Sequence, residues 1–368
     1  MSRQGSCQNK LGFIGEKRYD ASMGSGLRLL VVHTWLRGNL GDVLQASVLL
    51  RSLRELQPKV LDLGGYPAHP GRGAAELVAL ADRHVPEPFA WYLRYLPARA
   101  RRLVAEPLWR AYRTRLFRRY DAIVSAPGPF LAAYDPRAPA ALADLALAAD
   151  LGIPFILSSH SIGPLDNEQL SGLTRATQCV AREIATHEYL DQHGIFSVLS
   201  ADYAFLYPYA QKVGPVPAAA GPGPYRVLVM RSNNYPLRRI ERRGSTLRCG
   251  PHSFVLEAGE RIVLATTDPH KDARFLRELG GRLGASTVSC ESVPELISLV
   301  AGSTGIISDR YHPAICARAL GKPAEVIINR EPHKMRGLQA LLAGHDLSSL
   351  ENMARAGLAA VRAALPST

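Results

Sequence analysis

The chain has 368 residues, 47% hydrophobic and 21% charged, which excludes a disordered polymer and predicts a globular protein of two domains. Its formal net charge of +12 makes phosphorylated substrates, anionic membranes and nucleic acids the partners to weigh. Cys7, Cys179, Cys249, Cys290 and Cys316 are scattered without C-x-x-C spacing, which argues against a zinc site or disulfide framework and for a reducing compartment.

In chain order, residues 1–25 are polar and Gly/Ser-rich, lack the apolar core of a signal peptide and predict a disordered tail. No apolar run approaches the ~18 residues of a membrane-spanning helix, so the expectation is a cytoplasmic protein, peripheral on the inner membrane face if it meets a membrane. An N-terminal α/β domain is predicted over 26–210. It opens with a buried strand, Leu27–Val32, a loop, His33–Asp42, and a helix, Val43–Leu56. Asp42 suits a helix N-cap. Equally, Asn39 to Asp42 could approach a ligand through backbone amides, with Asp42 as a base. The fingerprint G-x-G-x-x-G is absent, against a dinucleotide.

Residues 91–120 carry nine arginines and one acid, Glu106, together with Trp91 and Trp109. Such a helix either lies on an anionic bilayer or packs its apolar side on the sheet. Nucleic acid is disfavoured, because no nucleic-acid motif accompanies the charge. Strand Ala122–Ser125 runs into Gly128-Pro129-Phe130, helix Ala138–Leu151 follows, and strand Pro154–Ser158 ends at His160 and Ser161. His160, at a strand tip, either touches ligand or makes a structural hydrogen bond. A helix over roughly 167–180 and strand-like segments around 183–185 and 196–199 complete this half. Alternation of this kind predicts a parallel sheet covered on both faces.

Residues 211–224 are rich in Pro, Gly and Ala and read as a linker to a C-terminal α/β domain over 225–345. Strand Tyr225–Met230 ends at Arg231. Residues 232–258 read as irregular and basic. Strand Arg261–Thr266 ends at Asp268, helix His270–Leu283 follows, and Val293–Ala301 is another helix. Gly305–Ile307 is a buried strand running into Ser308-Asp309-Arg310-Tyr311-His312, where Pro313 opens a small-residue helix. Strand Ala324–Ile328, then Lys334 and an Ala-rich helix within 346–368, complete the chain. Strand tips followed by helix N-termini are where open α/β sheets hold ligands. Arg310 offers a planar fork for carboxylate or phosphate, and His312 is suited to move a proton.

Two successive Rossmann-like α/β domains with a site at facing strand tips describe a glycosyltransferase-B-like architecture with its active site in the interdomain cleft. Over roughly residues 27–345 the chain resembles the polysaccharide pyruvyl transferases. The matches are Asn39-Leu40-Gly41-Asp42, Gly128-Pro129-Phe130, Ser161-Ile162-Gly163-Pro164, Ala181-Arg182-Glu183 and Asp202. Ser308-x-Arg310-x-His312, with Ala314 to Pro323, is the most specific, and Lys334 follows it. The chain departs from the family in having Ala126-Pro127 where consecutive glycines are usual, and in a shorter, more basic stretch over 232–258.

The resemblance implies transfer of the enolpyruvyl unit of phosphoenolpyruvate onto two sugar hydroxyls, leaving a cyclic ketal and phosphate. The acceptor would belong to a cell-surface glycan or its lipid-linked precursor. Arg310, Arg231, Lys334 and Ser308 are the candidates for the donor, His312 for the acid and Asp42 for the base. Asn39, Gly128, His160 and Ser161 are candidates for the acceptor side of the cleft. Phosphoenolpyruvate is a co-substrate; neither a cofactor nor a metal is required by the residue pattern. The competing expectations are a nucleotide-sugar glycosyltransferase of the same fold and a basic surface that binds lipid or nucleic acid without catalysis.

Overall fold

A computed structural model describes residues 26–34, 39–62, 84–86, 106–135, 137–232, 236–328 and 332–367. The expected tail, 1–25, and the first half of the arginine-rich segment lie outside the described residues. The first half opens with β1 (Leu29–Thr34), α1 (Leu40–Ser52), β2 (Lys59–Asp62), β3 (His84–Pro86) and α2 (Glu106–Phe117). It continues through β4 (Ala122–Ser125), β5 (Gly128–Leu131), α3 (Ala138–Asp150), β6 (Phe155–Ile162), α4 (Asn167–Leu173), β7 (Gln178–Ala181), α5 (Ile184–Gln192) and β8 (Val198–Leu199). These strands pair in parallel in the order β3-β2-β1-β4-β6-β7-β8, with β5 also on β6. β1 and β4 are buried throughout, as the apolar runs of a doubly covered sheet must be.

The second half contains β9 (Tyr225–Val229), β10 (Ile240–Arg243), β11 (Thr246–Cys249), β12 (His252–Val255), β13 (Arg261–Thr266), α6 (Pro269–Leu283) and β14 (Ser286–Ser289). Then come α7 (Val293–Ala301), β15 (Gly305–Ser308), α8 (Tyr311–Ala319), β16 (Ala324–Val326), α9 (Pro332–Gly344) and α10 (Leu347–Ala363). Its sheet, β14-β13-β9-β15-β16, is again parallel. Strand order therefore reverses between β1 and β4 in one half and between β9 and β15 in the other. Those two reversals are where an open sheet leaves a crevice at its strand tips.

Several elements differ from the sequence expectation, each for a local reason. α1 begins at Leu40, not Val43, because Asn39 takes the cap: its side chain accepts from Gly41 N at 3.1 Å. Asp42 lies inside the first turn. The helix expected to reach 180 stops at Leu173, and Cys179, Val180 and Ala181 instead form a buried strand beside β6. Residues 184–185, read as strand, open α5. The stretch read as irregular, 232–258, contains an antiparallel meander, β10-β11-β12, turned by Gly244 and Gly250 at positive φ. Ile240, Leu247, Cys249 and Phe254 bury its inner face.

The two halves share one apolar core, in which Val31 and Val124 join Val227 and Ile306. α10 adds Leu350 and Val361 to it. Gly357 permits that packing, since a Cβ there would stand 2.2 Å from Ser200 Oγ. The 211–224 segment is held to the second half, with Gly214 N donating to Ser298 Oγ at 2.8 Å. The result is a fixed relation between the two sets of strand tips.

Candidate functional site

A cleft of about 620 Å³ opens where the two sets of strand tips face one another. Asn39, Asp42 and Pro129 line it from the first half. Arg231, Arg310, His312 and Lys334 line it from the second. The tips of β9 and β15 are locked together by Asp309, whose two carboxylate oxygens each accept from Arg231 N at 3.1 Å.

His312 lies in the first turn of α8 and is only 5% exposed. Its Nε2 is 3.5 Å from Oδ2 of Asp202, a residue contributed by the other half of the molecule. Asp202 is fully buried and accepts from Arg182 Nη1 at 3.0 Å. Burial alone would raise its pKa, but His312 and Arg182 outweigh burial and hold it at about 2, so the carboxylate stays charged behind the imidazole. The other face of His312 presses on Gly41: a Cβ at that position would stand 1.9 Å from His312 Nδ1. The first turn of α1 must therefore present glycine where the second half delivers its histidine.

Arg310 is placed by the turn that follows β15. Ser308 Oγ accepts from Arg310 N at 3.0 Å and donates to Arg310 O at 2.9 Å. The Arg310 guanidinium bonds Asp272, while its Nε is buried with no hydrogen-bond partner among the described residues. Lys334 is also buried, its Nζ 5.7 Å from the ring centre of Tyr311. That ring carries the Arg182 guanidinium at 4.3 Å as well. Burial, reinforced by the charge on Glu183, pushes the Tyr311 hydroxyl well above its usual range.

The cleft thus gathers Asn39, Asp42, Arg231, Arg310, His312 and Lys334. Other candidates stand behind it. Ser308 is buried, with its hydroxyl spent on the Arg310 backbone. Ser161 Oγ donates to Glu183 Oε2 at 2.9 Å and accepts from Arg182 Nε at 2.6 Å. His160 has the structural role of its two expected ones: Nδ1 donates to the Gly128 carbonyl at 3.0 Å, and Nε2 meets Ser125 Oγ at 2.9 Å. Gly128 lines a satellite cavity of about 10 Å³ that Asp42 also borders, room for about one water.

Sequence reasoning gave no role to Asp202, Asp272 or the Thr267–Asp268 tip of β13. In the sequence Asp202 stands as a match to the family and Asp268 as an acid at a strand end, neither with a role. The arginine-rich helix α2 packs inward: Leu116, Phe117 and Arg113 are buried, Arg113 Nε lies 3.4 Å from Asp144, and Leu108 remains 52% exposed. Among the described residues, no group of His, Cys, Asp or Glu could hold a metal ion, and no helix is long and apolar enough to cross a membrane. The four described cysteines are buried and free.

The family pattern of the polysaccharide pyruvyl transferases matches residues 39–330. No curated protein matches the sequence. Among solved structures, the chain is similar to S. aureus MnaA bound to UDP, at 12% identity and a TM-score of 0.54, over 89% of this chain and 87% of that one. It is similar to the Methanocaldococcus jannaschii UDP-GlcNAc 2-epimerase in complex with UDP-GlcNAc and UDP, at 11% identity and a TM-score of 0.51, over 93% and 94%. A UDP-N-acetylglucosamine 2-epimerase from Rickettsia bellii matches at 12% identity and a TM-score of 0.50, over 92% and 95%. At these identities the likeness shows the fold alone, which is glycosyltransferase-B-like with two Rossmann-like halves.

Proposed function

The chain belongs to the polysaccharide pyruvyl transferase family, and from that premise we propose that it transfers the enolpyruvyl unit of phosphoenolpyruvate to two hydroxyls of a glycan. The observation that carries the proposal is the pairing, in one cleft, of Arg231, Arg310 and Lys334 with a histidine backed by a buried carboxylate. The donor holds a carboxylate and a phosphate close together. Two guanidinium groups and an ammonium answer both with charge-assisted hydrogen bonds.

His312 gives a proton to the terminal vinyl carbon, which becomes a methyl group, and the charge of Asp202 stabilises the imidazolium that does so. The first acceptor hydroxyl adds its oxygen to the neighbouring carbon and loses its proton to Asp42. Phosphate then leaves with the electron pair of its bond to that carbon. The second hydroxyl adds in its place, and its proton restores His312. Asp42 passes its proton to the departing phosphate, so the products are a cyclic ketal and inorganic phosphate. Positioned acid and base groups of this kind contribute about 10²–10⁴-fold each.

The test is phosphate release from phosphoenolpyruvate against a panel of glycosides and lipid-linked sugars, with His312→Ala as control and mass spectrometry of the product. Acceptor-dependent release that vanishes in the variant supports the reading. Binding of UDP-N-acetylglucosamine with no binding of phosphoenolpyruvate would replace it with nucleotide-sugar transfer.

A further inference from the structure

The cleft has a second polar edge that the donor does not account for. At the tip of β13, Thr267 and Asp268 line the cleft and are 1% and 3% exposed. Thr267 Oγ1 and Asp268 Oδ1 are both buried with no hydrogen-bond partner among the described residues. A buried polar atom left so is destabilising, which calls for a ligand or water to complete it. Asp268 stands at the N-cap of α6, yet its side chain makes no capping bond. Its other oxygen, Oδ2, meets Lys271 Nζ at 3.2 Å, and that lysine side chain is 68% exposed.

The tip itself is rigid. Asp268 N donates to Thr266 Oγ1 at 2.9 Å. Leu40 N, in the first turn of α1, donates across the cleft to Thr267 O at 3.0 Å. Thr267 and Asp268 are therefore fixed relative to the turn that carries Asp42. Of the other acids that line the cleft besides Asp42, Asp272 holds Arg310 and Asp135 holds Arg137 at 2.7 Å. The unpartnered Oδ1 of Asp268 would repel a carboxylate or phosphate. Beside a threonine hydroxyl, it suits an uncharged polyol.

We propose that Thr267 and Asp268 form a subsite for one hydroxyl of the acceptor sugar, across the cleft from Asp42. The inference rests on the pyruvyl-transfer reading, and it gives the second acceptor hydroxyl a place to be held. The acceptor's two hydroxyls are then gripped one from each half of the molecule.

The test separates the subsite from the reaction. Saturation-transfer NMR with methyl β-D-glucopyranoside, methyl β-D-galactopyranoside and methyl α-D-mannopyranoside reads acceptor binding without donor. Isothermal titration with phosphoenolpyruvate reads donor binding without acceptor. For whichever glycoside binds the wild-type protein, Asp268→Asn and Thr267→Val each weaken binding about 10- to 100-fold, while donor affinity and Tm stay as in wild type. The unchanged donor affinity shows that the variants are folded. No glycoside signal in the wild-type protein, or a signal that both variants keep, overturns the subsite. Failure of phosphoenolpyruvate to bind overturns the pyruvyl-transfer reading and leaves the glycoside result standing.

Discussion

His312 follows β15 in the first turn of α8, and His160 lies within β6, one in each half of the molecule. His312 faces an open cleft and is backed by a carboxylate from the opposite half. His160 is closed in on every side, its Nδ1–H given to the Gly128 carbonyl and its Nε2 left to accept from Ser125. Ser125 Oγ then accepts from His33 Nδ1 at 2.8 Å, and His33 Nε2 faces Asp144 Oδ2 at 3.1 Å. One histidine lines the cleft with a buried carboxylate behind it. The other spends both nitrogens stiffening the wall that carries Pro129. Tertiary packing brings each of them a different set of partners.

The largest expected effect comes from breaking the open histidine. His312→Ala lowers turnover by about 10²–10⁴-fold and leaves donor affinity within a few-fold of wild type, checked by phosphate release and by titration with phosphoenolpyruvate. A loss of donor affinity as large as the loss of rate would defeat the proton-transfer role. Arg310→Lys reverses that pattern: the ammonium cannot reproduce the fork, so donor binding weakens about tenfold or more.

The histidine's placement breaks next. Gly41→Ala would drive a methyl group into the imidazole, because the Cβ site is 1.9 Å from Nδ1. Displacing a catalytic group by about 1 Å costs about 10²-fold in rate, so kcat falls while the fold persists. Asp202→Asn acts from the other side, removing the charge that steadies His312 and leaving Arg182 with less compensation. Its kcat falls by a similar factor, and its urea midpoint falls too, because a buried ion has lost a partner. Wild-type kcat in Gly41→Ala would show that the first turns of α1 and α8 separate in solution.

Much of the site was legible because the signals are short-range. Arg310-x-His312 and Asn39 to Asp42 each stand within a few residues of a strand end, where topology alone directs side chains to a crevice. Asp202 was not legible as a partner of His312, since their meeting depends on how two sheets pack. The burial of His160 likewise depends on Ser125 and Gly128, which come from other strands. In the fold, the meander of 240–255 was hidden because arginines on its outer face obscure the inward set Ile240, Leu247, Cys249 and Phe254. The strand at 178–181 was lost to a helix-like run of polar residues before it. Gly41 was readable as a loop glycine, but only the contact with His312 explains why nothing larger serves.

The smallest effect concerns the closed histidine, and it falls on stability, not turnover. Burial is the main cause that lowers the His160 pKa from 6.5 to about 3, against the Gly128 carbonyl bond, which favours the proton. The folded protein therefore keeps His160 neutral at pH values where the unfolded chain takes up a proton. Stability from this group is complete above pH ~6.5 and declines as pH falls toward about 3, by about 1.4 kcal/mol per pH unit. Asp202, held at about 2, adds a decline of its own, but only once pH drops below the unfolded carboxylate value near ~4. The window from pH 6.5 to 4.5 thus separates the two groups. His160→Asn keeps a donor for the Gly128 carbonyl and removes the titration, so its urea midpoint should change less steeply than wild type across that window, with donor affinity unaltered. Parallel slopes in the two proteins would mean that His160 takes up its proton in the folded state, and the wall at Gly128 would then have to open to admit it.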